Sequence, residues 1–467
     1  MTDTKWLPDL TQYPGPKYQG LVRALRDAIR SGVLPPQAQL PTVRDLAWSL
    51  QVTPGTVSRA YQLATQEGLL AATVGRGTFV ASAGPRFGPT QPFYNELDPS
   101  ELTGRIDMRS PRIPDVGQAA AFEAALDAVK PGVAGRWLDY PSQREEQPLR
   151  EALVGWIRGR VLGPVSADDL AISYGGQSTI NMIFQCCLRG DRPLVMIEDL
   201  AYAGFRHAAR LSRAELIGVE MDEEGIRPDA LEAACRRHPP QILCVTTEAQ
   251  NPTTGRMSEE RRQEIARIAA LFDFQIIEDD CYSTADSNAP AIRALAPERT
   301  WHVGSFSKTI SAALRLGYVV CPTGMGKAGR LTVQHSFFGM AKPVSDLCLD
   351  LLTSGAAEQL RSAVQVAFAD RLEGVVNVLG AYDLAWQAGL PFVWLRLPSG
   401  WRASTFARMA EAEGVYVRSA DEFALMHGRA PNAVRLALPG NQPRAQIEAA
   451  CRRLVRLLES PPAELAV

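Results

Sequence analysis

Residues 305–309 read Ser-Phe-Ser-Lys-Thr and follow a predicted strand at 301–304, with an arginine seven residues beyond the lysine. A lysine at such a strand end could be an ordinary surface residue. A lysine that forms a Schiff base needs a sheltered site, however, and the phosphate of its cofactor needs hydroxyl groups and a guanidinium close by. One short stretch supplies all of these groups, namely Lys308, Ser305, Ser307 and Arg315. The stretch therefore predicts a covalent cofactor site at the edge of a sheet.

A glycine pair upstream suits the same cofactor. Residues 174–178, Tyr-Gly-Gly-Gln-Ser, lie between a predicted strand at 170–173 and a predicted helix. Glycines at the N-terminus of a helix let main-chain N–H groups approach a phosphate, and the helix dipole adds to the attraction. The motif alone is not specific, but together with the lysine stretch it predicts a phosphate-binding loop.

Two polar motifs follow predicted strands farther along the chain. Asn251 opens an Asn-Pro-Thr turn, which is often structural, although the amide can also donate to a phenolate oxygen. Asp279 lies just past the predicted strand at 274–277, at its C-terminal edge. A carboxylate there can hold a pyridine nitrogen protonated and so make the ring an electron sink. The paired acids at 278–280 could instead bind a metal, but no His, Asp or Glu partner has matching spacing. No metal site is therefore expected.

Beyond residue 105, short apolar runs alternate with helical segments. The strand-like runs are 194–197, 242–245, 274–277 and 316–320, and the helical segments include 229–237 and 258–272. Strands that are buried on both faces and alternate with helices favour an α/β domain with a mostly parallel sheet. The C-terminal third mixes helices and strands in the manner of a smaller α+β unit.

The chain has 467 residues and a net charge of −2, but the charge is unevenly distributed. Residues 1–80 carry eight Lys or Arg against five Asp or Glu, so this part is +3 and the remainder −5. Such asymmetry hints at a nucleic-acid-binding end. No long apolar run or secretory signal is visible, which argues against a membrane span. Eight cysteines without a C-x-x-C pair favour free thiols and a cytoplasmic protein.

The first 80 residues predict a winged helix-turn-helix. Helical patterns at 18–29, 42–50 and 56–67 are followed by a two-stranded wing at 69–80. Arginines fall on the second helix, the recognition helix and the wing, where phosphates and base edges would lie, at Arg44, Arg59 and Arg76. A small three-helix domain that binds a protein is the alternative.

The head resembles the winged-helix domain of the GntR superfamily. The resemblance rests on Leu-Pro-Thr-Val-Arg-Asp-Leu-Ala at 40–47, on Val-Thr at 52–53 and on Gly-Arg-Gly-Thr-Phe-Val at 75–80. It implies DNA contacts from Arg44, Thr53, Thr56, Ser58, Arg59 and Arg76. Many members have arginine directly after the turn Ser or Thr, where this chain has Pro54, so their operator sequence is not carried over.

Residues 105–460 resemble fold-type I aminotransferases of the aspartate aminotransferase kind. The resemblance implies pyridoxal 5'-phosphate bound as an internal aldimine to Lys308, with Asp279 at the pyridine nitrogen. It implies that Asn251 and Tyr282 bind the ring hydroxyl oxygen and that Tyr202 stacks on the ring. The phosphate would be held by Gly176, Gln177, Ser305, Ser307 and Arg315, with Tyr140 of one subunit reaching the phosphate of the other. Arg435 matches the arginine that binds a substrate carboxylate, with an edge-strand surface salt bridge as the alternative, and Arg206 is a candidate for a second acidic group.

A GntR-like head fused to such a body resembles the MocR family of bacterial transcription regulators. The predicted domains are a winged helix-turn-helix at 1–80, a linker at 81–105 and an aminotransferase-like body at 106–467. Within the body we expect a large domain at about 130–330 with a mostly parallel seven-stranded sheet, and a small α+β domain at about 106–129 and 331–467. The resemblance also implies a head-to-tail homodimer on double-stranded DNA.

The leading hypothesis is a regulator whose DNA binding responds to an amine or amino acid that reacts at Lys308, or to pyridoxal phosphate itself. The alternative is a working aminotransferase with an accessory DNA-binding head. Relatives commonly have tyrosine directly after the two aspartates, whereas here Cys281 intervenes and Tyr282 lies three residues past Asp279, as in free-standing aminotransferases. A degenerate interaction module without cofactor is the third possibility.

Overall fold

The computed structural model describes residues 6–73, 77–81, 104–130, 137–282, 287–425, 428 and 430–460. The chain divides into two compact units, Met1–Asn95 and Glu96–Val467, each with its own hydrophobic core. The expected linker at 81–105 lies almost wholly outside the described residues. Within the described ranges, no helix is both long enough and apolar enough to cross a membrane.

The first unit, here called the head, consists of three helices and a strand pair. Its elements are α1 (Lys17–Arg30), α2 (Val43–Ser49), α3 (Pro54–Gln66), β1 (Leu70–Thr73) and β2 (Gly77–Val80). The strands pair antiparallel, which confirms the predicted winged helix-turn-helix. Thr42 and Thr53 cap α2 and α3, because each side-chain oxygen accepts the N–H three residues later. Helix α3 begins at Pro54 and not at the predicted residue 56, since proline suits the first helical turn.

All three helices contribute to the core of the head. Leu25, Leu46 and Val57 come from α1, α2 and α3 in turn, and each is fully or almost fully buried. Leu70 and Val80 from the strand pair close this core from the wing side. The apolar face that the sequence predicts on the first helix is therefore the face that packs inward.

A seven-stranded sheet forms the centre of the second unit, here called the body. In spatial order its strands are β5 (Leu170–Ser173), β14 (Gly317–Val320), β13 (Thr300–Ser305), β11 (Gln275–Asp279), β10 (Ile242–Val245), β6 (Leu194–Glu198) and β7 (Glu215–Val219). Strand β14 runs antiparallel to both of its neighbours, and the other pairs are parallel. The predicted mostly parallel seven-stranded sheet is confirmed.

Helices and short strands surround this sheet. The helices are α4 (Gln118–Val129), α5 (Gln147–Trp156), α6 (Gly176–Cys187), α7 (Ala203–Leu211), α8 (Pro228–Arg237), α9 (Glu259–Phe272), α10 (Ile292–Leu295), α11 (Gly326–Phe337) and α12 (Lys342–Thr353). The short strands are β4 (Arg160–Val161), β8 (Met221–Asp222), β9 (Gly225–Ile226) and β12 (Ser287–Pro290). Ala125 of α4 and Cys348 of α12 share a hydrophobic cluster with β5 and β14. The structure therefore places these two helices with the large domain, whereas the sequence assigns them to the small one.

The small domain is built on a four-stranded antiparallel sheet in the order β15 (Leu384–Ala385), β16 (Phe392–Arg396), β19 (Ala433–Ala437) and β18 (Arg418–Ser419). A separate parallel pair joins β3 (Ile106–Asp107) to β17 (Val415–Tyr416). The helices of this domain are α13 (Ala356–Leu379), α14 (Ala403–Ala412) and α15 (Arg444–Leu458). All eight cysteines are free thiols, and the described residues contain no group of His, Cys, Asp and Glu arranged for a metal ion.

Candidate cofactor and DNA sites

The cofactor motifs meet at one edge of the large sheet. Asp279 is the last residue of β11, Asn251 follows β10, and Lys308 lies in a short 3-10 turn directly after β13. Gly176 begins α6 just after β5, which runs in the same direction as β13 because β14 opposes both. Carboxyl ends of strands that run the same way share one edge, so the fold brings together residues far apart in sequence.

Lys308 lies half-buried at the centre of this edge. Its Nζ is 3.4 Å from the main-chain oxygen of Pro111 and 5.8 Å from the centre of the Tyr282 ring. The Tyr282 ring in turn packs edge-on against Phe392 of β16, with centroids 5.2 Å apart. The amine is thus sheltered between the two domains of the body, with an aromatic ring beside it.

Asp279 is a buried carboxylate to which the described part of the chain brings no cationic partner. Its Oδ1 accepts the N–H of Cys281 at 3.0 Å, and burial raises its pKa above the ordinary value of an aspartate. None of the ion pairs among the described residues involves Asp279, although its neighbours Glu278 and Asp280 both have basic partners. A buried carboxylate without a cation suits a cation supplied by a ligand, such as a protonated pyridine nitrogen.

Asn251 has an unused donor in the same place. The residue is 2% exposed, its Oδ1 accepts from Nη1 of Arg435 at 2.7 Å, and its Nδ2 is buried without a partner. A buried donor without a hydrogen bond costs on the order of 1–3 kcal/mol, so a ligand oxygen that accepts from it would be favoured there. The orphaned amide fits the ring oxygen of pyridoxal phosphate.

The phosphate end of the site is a close-packed cradle. Gly175 has φ 83°, and a Cβ at this position would lie 2.6 Å from Nη2 of Arg315. That nitrogen donates to the main-chain oxygen of Tyr174 at 2.9 Å. Ser305 Oγ accepts from the N–H of Ser307 at 3.1 Å and donates to Ser307 Oγ at 3.0 Å. A guanidinium, two hydroxyls and the N-terminus of α6 therefore converge, which is a set of donors suited to a phosphate.

Two more predicted cofactor residues flank this cradle. Gln177 donates from Nε2 to the oxygen of Gly204 at 3.0 Å, and its Oε1 is buried without a partner. Tyr202 immediately precedes α7 and packs edge-on against Phe205, and burial raises the pKa of its phenol. Both residues lie at the strand edge that carries Asp279.

Gly317 of β14 is expected to tolerate no side chain, because a Cβ there would lie 2.5–2.8 Å from main-chain atoms of Gly175. We predict that Gly317→Ala shifts the cradle, lowers stability by about 1–3 kcal/mol and weakens binding of pyridoxal phosphate. Gly155→Ala is the control, since nothing lies within 4 Å of a Cβ at that position on α5. Thermal unfolding and cofactor titration check this, and equal behaviour of the two variants would contradict it.

Arg435 is a buried guanidinium that no carboxylate of the described residues pairs with. It is 4% exposed and lies between the rings of Phe392 and Phe423, with Nη2 donating to the oxygen of Arg109 at 2.5 Å. Its Nε has no partner, burial lowers its pKa to about 10, and it takes part in none of the ion pairs of the described residues. The surface salt bridge considered from sequence is therefore wrong, and the group is placed to bind an incoming carboxylate.

Arg206 and Tyr140 are engaged elsewhere in this chain. The guanidinium of Arg206 donates to the main-chain oxygens of Glu422 and Ala424, so the structure gives it a contact between α7 and the small domain. Burial lowers its pKa. Tyr140 is 76% exposed and stacks on Phe338, with ring centroids 5.1 Å apart. Its reach into a partner subunit stays a prediction.

In the head, the predicted DNA-binding residues divide by their contacts. Arg44 is exposed on α2, whereas the guanidinium of Arg59 lies 4.3 Å from the centre of the Tyr18 ring. The hydroxyls of Thr53 and Thr56 bond each other at 2.9 Å as part of the cap of α3. Ser58 is half-buried, and Arg76 lies outside the described residues.

Sequence reasoning missed two contributors to the site. Pro111 brings its carbonyl oxygen to Lys308 from a segment that has no motif. His302 of β13 lies opposite Glu278 in the strand register, and its imidazole is within 3.5 Å of carboxylate oxygens of both Glu278 and Asp280. Successive side chains of a strand point to opposite faces of the sheet, so Glu278 and Asp280 must lie on one face and Asp279 on the other. The sequence alone therefore contained a signal that Asp279 is separated from the other two acids.

Comparison with known families divides the chain at the same place. The class I and II aminotransferase family matches residues 112–454, and the gntR family of bacterial regulatory proteins matches residues 17–80. An uncharacterized HTH-type transcriptional regulator of Bacillus subtilis, YdeF, is 28% identical, with 97% of each chain covered. PdxR of Corynebacterium glutamicum, an HTH-type regulator of pyridoxine biosynthesis, is 26% identical over 77% of this chain and 78% of its own.

The body also resembles solved aminotransferases. An archaeal alanine:glyoxylate aminotransferase superposes with a TM-score of 0.69 at 22% identity, over 77% of this chain and 93% of its own. At this identity the likeness shows the fold of the body, which is that of a fold-type I aminotransferase.

Proposed function

Because this chain belongs to the class I and II aminotransferase family and carries a GntR-family domain ahead of it, the architecture of MocR regulators, we propose that it regulates transcription in response to a ligand at Lys308. The ligand would be an amine or amino acid that meets bound pyridoxal 5'-phosphate. The observation that carries the proposal is one strand edge where a sheltered lysine, an unpaired aspartate, an orphaned amide and an arginine without a carboxylate converge.

Each of these unpaired groups suits one part of the cofactor. Asp279 would accept from the pyridine nitrogen, Asn251 would donate to the ring oxygen together with Tyr282, and the cradle around Arg315 would hold the phosphate. When bound, pyridoxal phosphate supplies an aldehyde that condenses with amines and a ring that withdraws electrons. The protein would supply orientation, since the amine of Lys308, between the Pro111 oxygen and the Tyr282 ring, would stand at the aldehyde carbon.

The effector is expected to be an amine that carries a carboxylate. Arg435 has an unpaired Nε, and the aromatic rings of Phe392 and Phe423 hold its guanidinium in place. A carboxylate accepts from a guanidinium in a fixed geometry, so Arg435 would orient the ligand's amine toward Lys308. Pyridoxal phosphate itself is the other candidate for the sensed molecule, and the relative PdxR is named as a regulator of pyridoxine biosynthesis.

The regulatory output would come from the head. A ligand shifts DNA binding only if it binds two arrangements of the protein with different affinity. The strand edge holds groups from both domains of the body, because Asn251 of the large domain bonds Arg435 of the small one. A ligand that enters between them is therefore placed to change the domain arrangement, and the head would read that change out on a double-stranded operator as part of a homodimer.

For the DNA contacts, Arg44→Ala is expected to weaken binding of a duplex selected by the wild-type protein from a random pool. Arg44 is exposed on α2, the first helix of the motif, which would cross the phosphate backbone. Loss of one phosphate contact should lower the slope of log affinity against log salt by about 1. Arg30→Ala is the control, because Arg30 lies on α1 and pairs with Asp27. Equal slopes for wild type and Arg44→Ala would contradict the assignment.

One observation favours a working aminotransferase as the second candidate. Tyr282 lies three residues beyond Asp279 and beside Lys308, the spacing of free-standing aminotransferases. Mixing the loaded protein with single amino acids separates the two functions. Fast, complete transfer of the amino group to the cofactor, with turnover on keto acids, supports the enzyme, whereas spectral shifts without transfer support the regulator.

A further inference from the structure

Three carboxylates stand side by side at the end of β11, Glu278, Asp279 and Asp280. The Glu278 side chain is fully buried, Asp279 is 8% exposed and the Asp280 side chain is 6% exposed. Adjacent like charges in a buried site raise one another's pKa and favour protonation of one member. A site that needs Asp279 ionised must therefore neutralise the other two.

Two basic side chains from other strands do this. His302, on β13, lies directly opposite Glu278 in the strand register. Its Nδ1 is 3.4 Å from Glu278 Oε2 and its Nε2 is 3.5 Å from Asp280 Oδ2, so one imidazole spans both acids. Arg160 of β4 donates from Nε to the same Asp280 oxygen at 2.7 Å. The cluster thus has three acids and two cations, and Asp279 is the acid that neither cation pairs with.

The titration of the cluster follows from this geometry. The flanking carboxylates raise the pKa of His302 to about 9 despite its burial, and His302 helps to hold the pKa of Glu278 and Asp280 below their ordinary values. A cavity of about 30 Å³ beside His302 is also lined by Tyr318, Cys281 and Arg361. Burial raises the pKa of Tyr318 and Cys281, so His302 is the member whose charge changes near pH 9.

We propose that His302 is a positioning residue for the cofactor, whose imidazolium neutralises Glu278 and Asp280 and so leaves the charge of Asp279 for the pyridine nitrogen. The inference rests on the proposed cofactor site. His302 touches no reacting atom, and it acts through the two acids that flank Asp279. The neutral form would leave Asp280 with Arg160 and Glu278 with the N–H groups of Ile292 and Arg293 and the hydroxyl of Thr247. With less positive charge beside the two acids, Asp279 would hold a proton more readily.

The pH dependence has a definite sign. The pKa of His302 is raised above its unfolded value, so its contribution to stability is complete below about pH 6.5 and is lost as pH rises through about 9. Binding of pyridoxal phosphate should weaken over the same interval, because the charge that frees Asp279 disappears. A glutamine at this position keeps a hydrogen-bonding group but removes the charge at every pH.

The test measures the dissociation constant of pyridoxal phosphate from the full chain, for wild type and His302→Gln, at about pH 7.5 and about pH 10, on either side of that pKa. At the lower pH we expect His302→Gln to bind pyridoxal phosphate about tenfold more weakly than wild type, which is equivalent to a shift of about one unit in the pKa of Asp279. At the higher pH we expect the two proteins to bind the cofactor equally well. The exposed His335 of α11 provides the control His335→Gln, which should match wild type at both pH values.

Other results overturn the inference in distinguishable ways. Equal weakening at both pH values would mean that His302 has only a packing role, and no weakening at either would mean that its charge does not matter. A wild-type protein that binds no pyridoxal phosphate would overturn the proposed function and this inference together. If His302→Gln does not fold, imidazole NMR of the wild-type protein decides, with the other four histidines replaced in turn for assignment. A His302 midpoint below neutral pH would overturn the proposal.

Discussion

Lys308→Ala is expected to abolish the absorption band of the Schiff base between the protein and pyridoxal phosphate. The band requires a covalent bond between the cofactor and a lysine amine, and Lys308 is the lysine at the strand edge that holds Asp279 and Asn251. The cradle around Arg315 and the unpaired Asp279 remain in the variant, so the cofactor should still bind without the covalent bond. Absorption spectra before and after borohydride reduction measure both effects.

Lys327→Ala is the matched control for this variant. Lys327 is exposed on α11, so its removal should leave the band, the reduction product and the thermal stability unchanged. A band that survives Lys308→Ala, or that disappears in Lys327→Ala, would contradict the assignment of the covalent site. Lys308→Ala also serves as the reference protein for the DNA-binding titration, because it should bind the cofactor without the covalent bond.

Arg435→Leu is expected to weaken binding of an effector amino acid by about 2–5 kcal/mol, the usual cost of removing one partner of a buried, hydrogen-bonded charge pair. This corresponds to roughly 30-fold to several thousand-fold in the dissociation constant. The reason is that Arg435 is buried and its Nε has no partner among the described residues, so the variant removes a donor that is available to a carboxylate. The measurement titrates the amino acid that shifts the wild-type spectrum most strongly in a screen of the common amino acids.

Two controls separate a lost carboxylate contact from general damage. Arg418→Leu removes a neighbouring arginine that already pairs with Glu422 at 2.6 Å and should change effector affinity little. The amine that corresponds to the effector without its carboxylate should bind wild type and Arg435→Leu equally. Equal weakening of the amino acid and of this amine would show that Arg435 supports the site structurally and does not bind the carboxylate.

Local sequence predicted the residues that the strand edges bring together. Lys308 and Asn251 each follow a short apolar strand and Asp279 ends one, and the common edge of those strands places them near one another without further information. The glycines of the cradle were readable for the same reason, since a helix start after a strand defines where a phosphate can approach. The head was readable from its caps and its helical periodicity.

Contacts between distant segments could not be read in this way. Arg206 suits a ligand by sequence position, but the small domain supplies two carbonyl oxygens that occupy its guanidinium. The role of His302 depends on the register between β11 and β13, and the place of α4 depends on its packing against α12. These are long-range choices that hydrophobic periodicity does not encode.

If chemistry at Lys308 controls DNA binding, one titration should show both events together. The affinity for the selected duplex is measured at fixed salt for the loaded wild-type protein and for Lys308→Ala, as the effector amino acid is added. The wild-type affinity is expected to change along the same concentration curve as the absorption band, while the affinity of Lys308→Ala stays constant. A DNA affinity that responds equally in both proteins, or in neither while the wild-type band shifts, would contradict it.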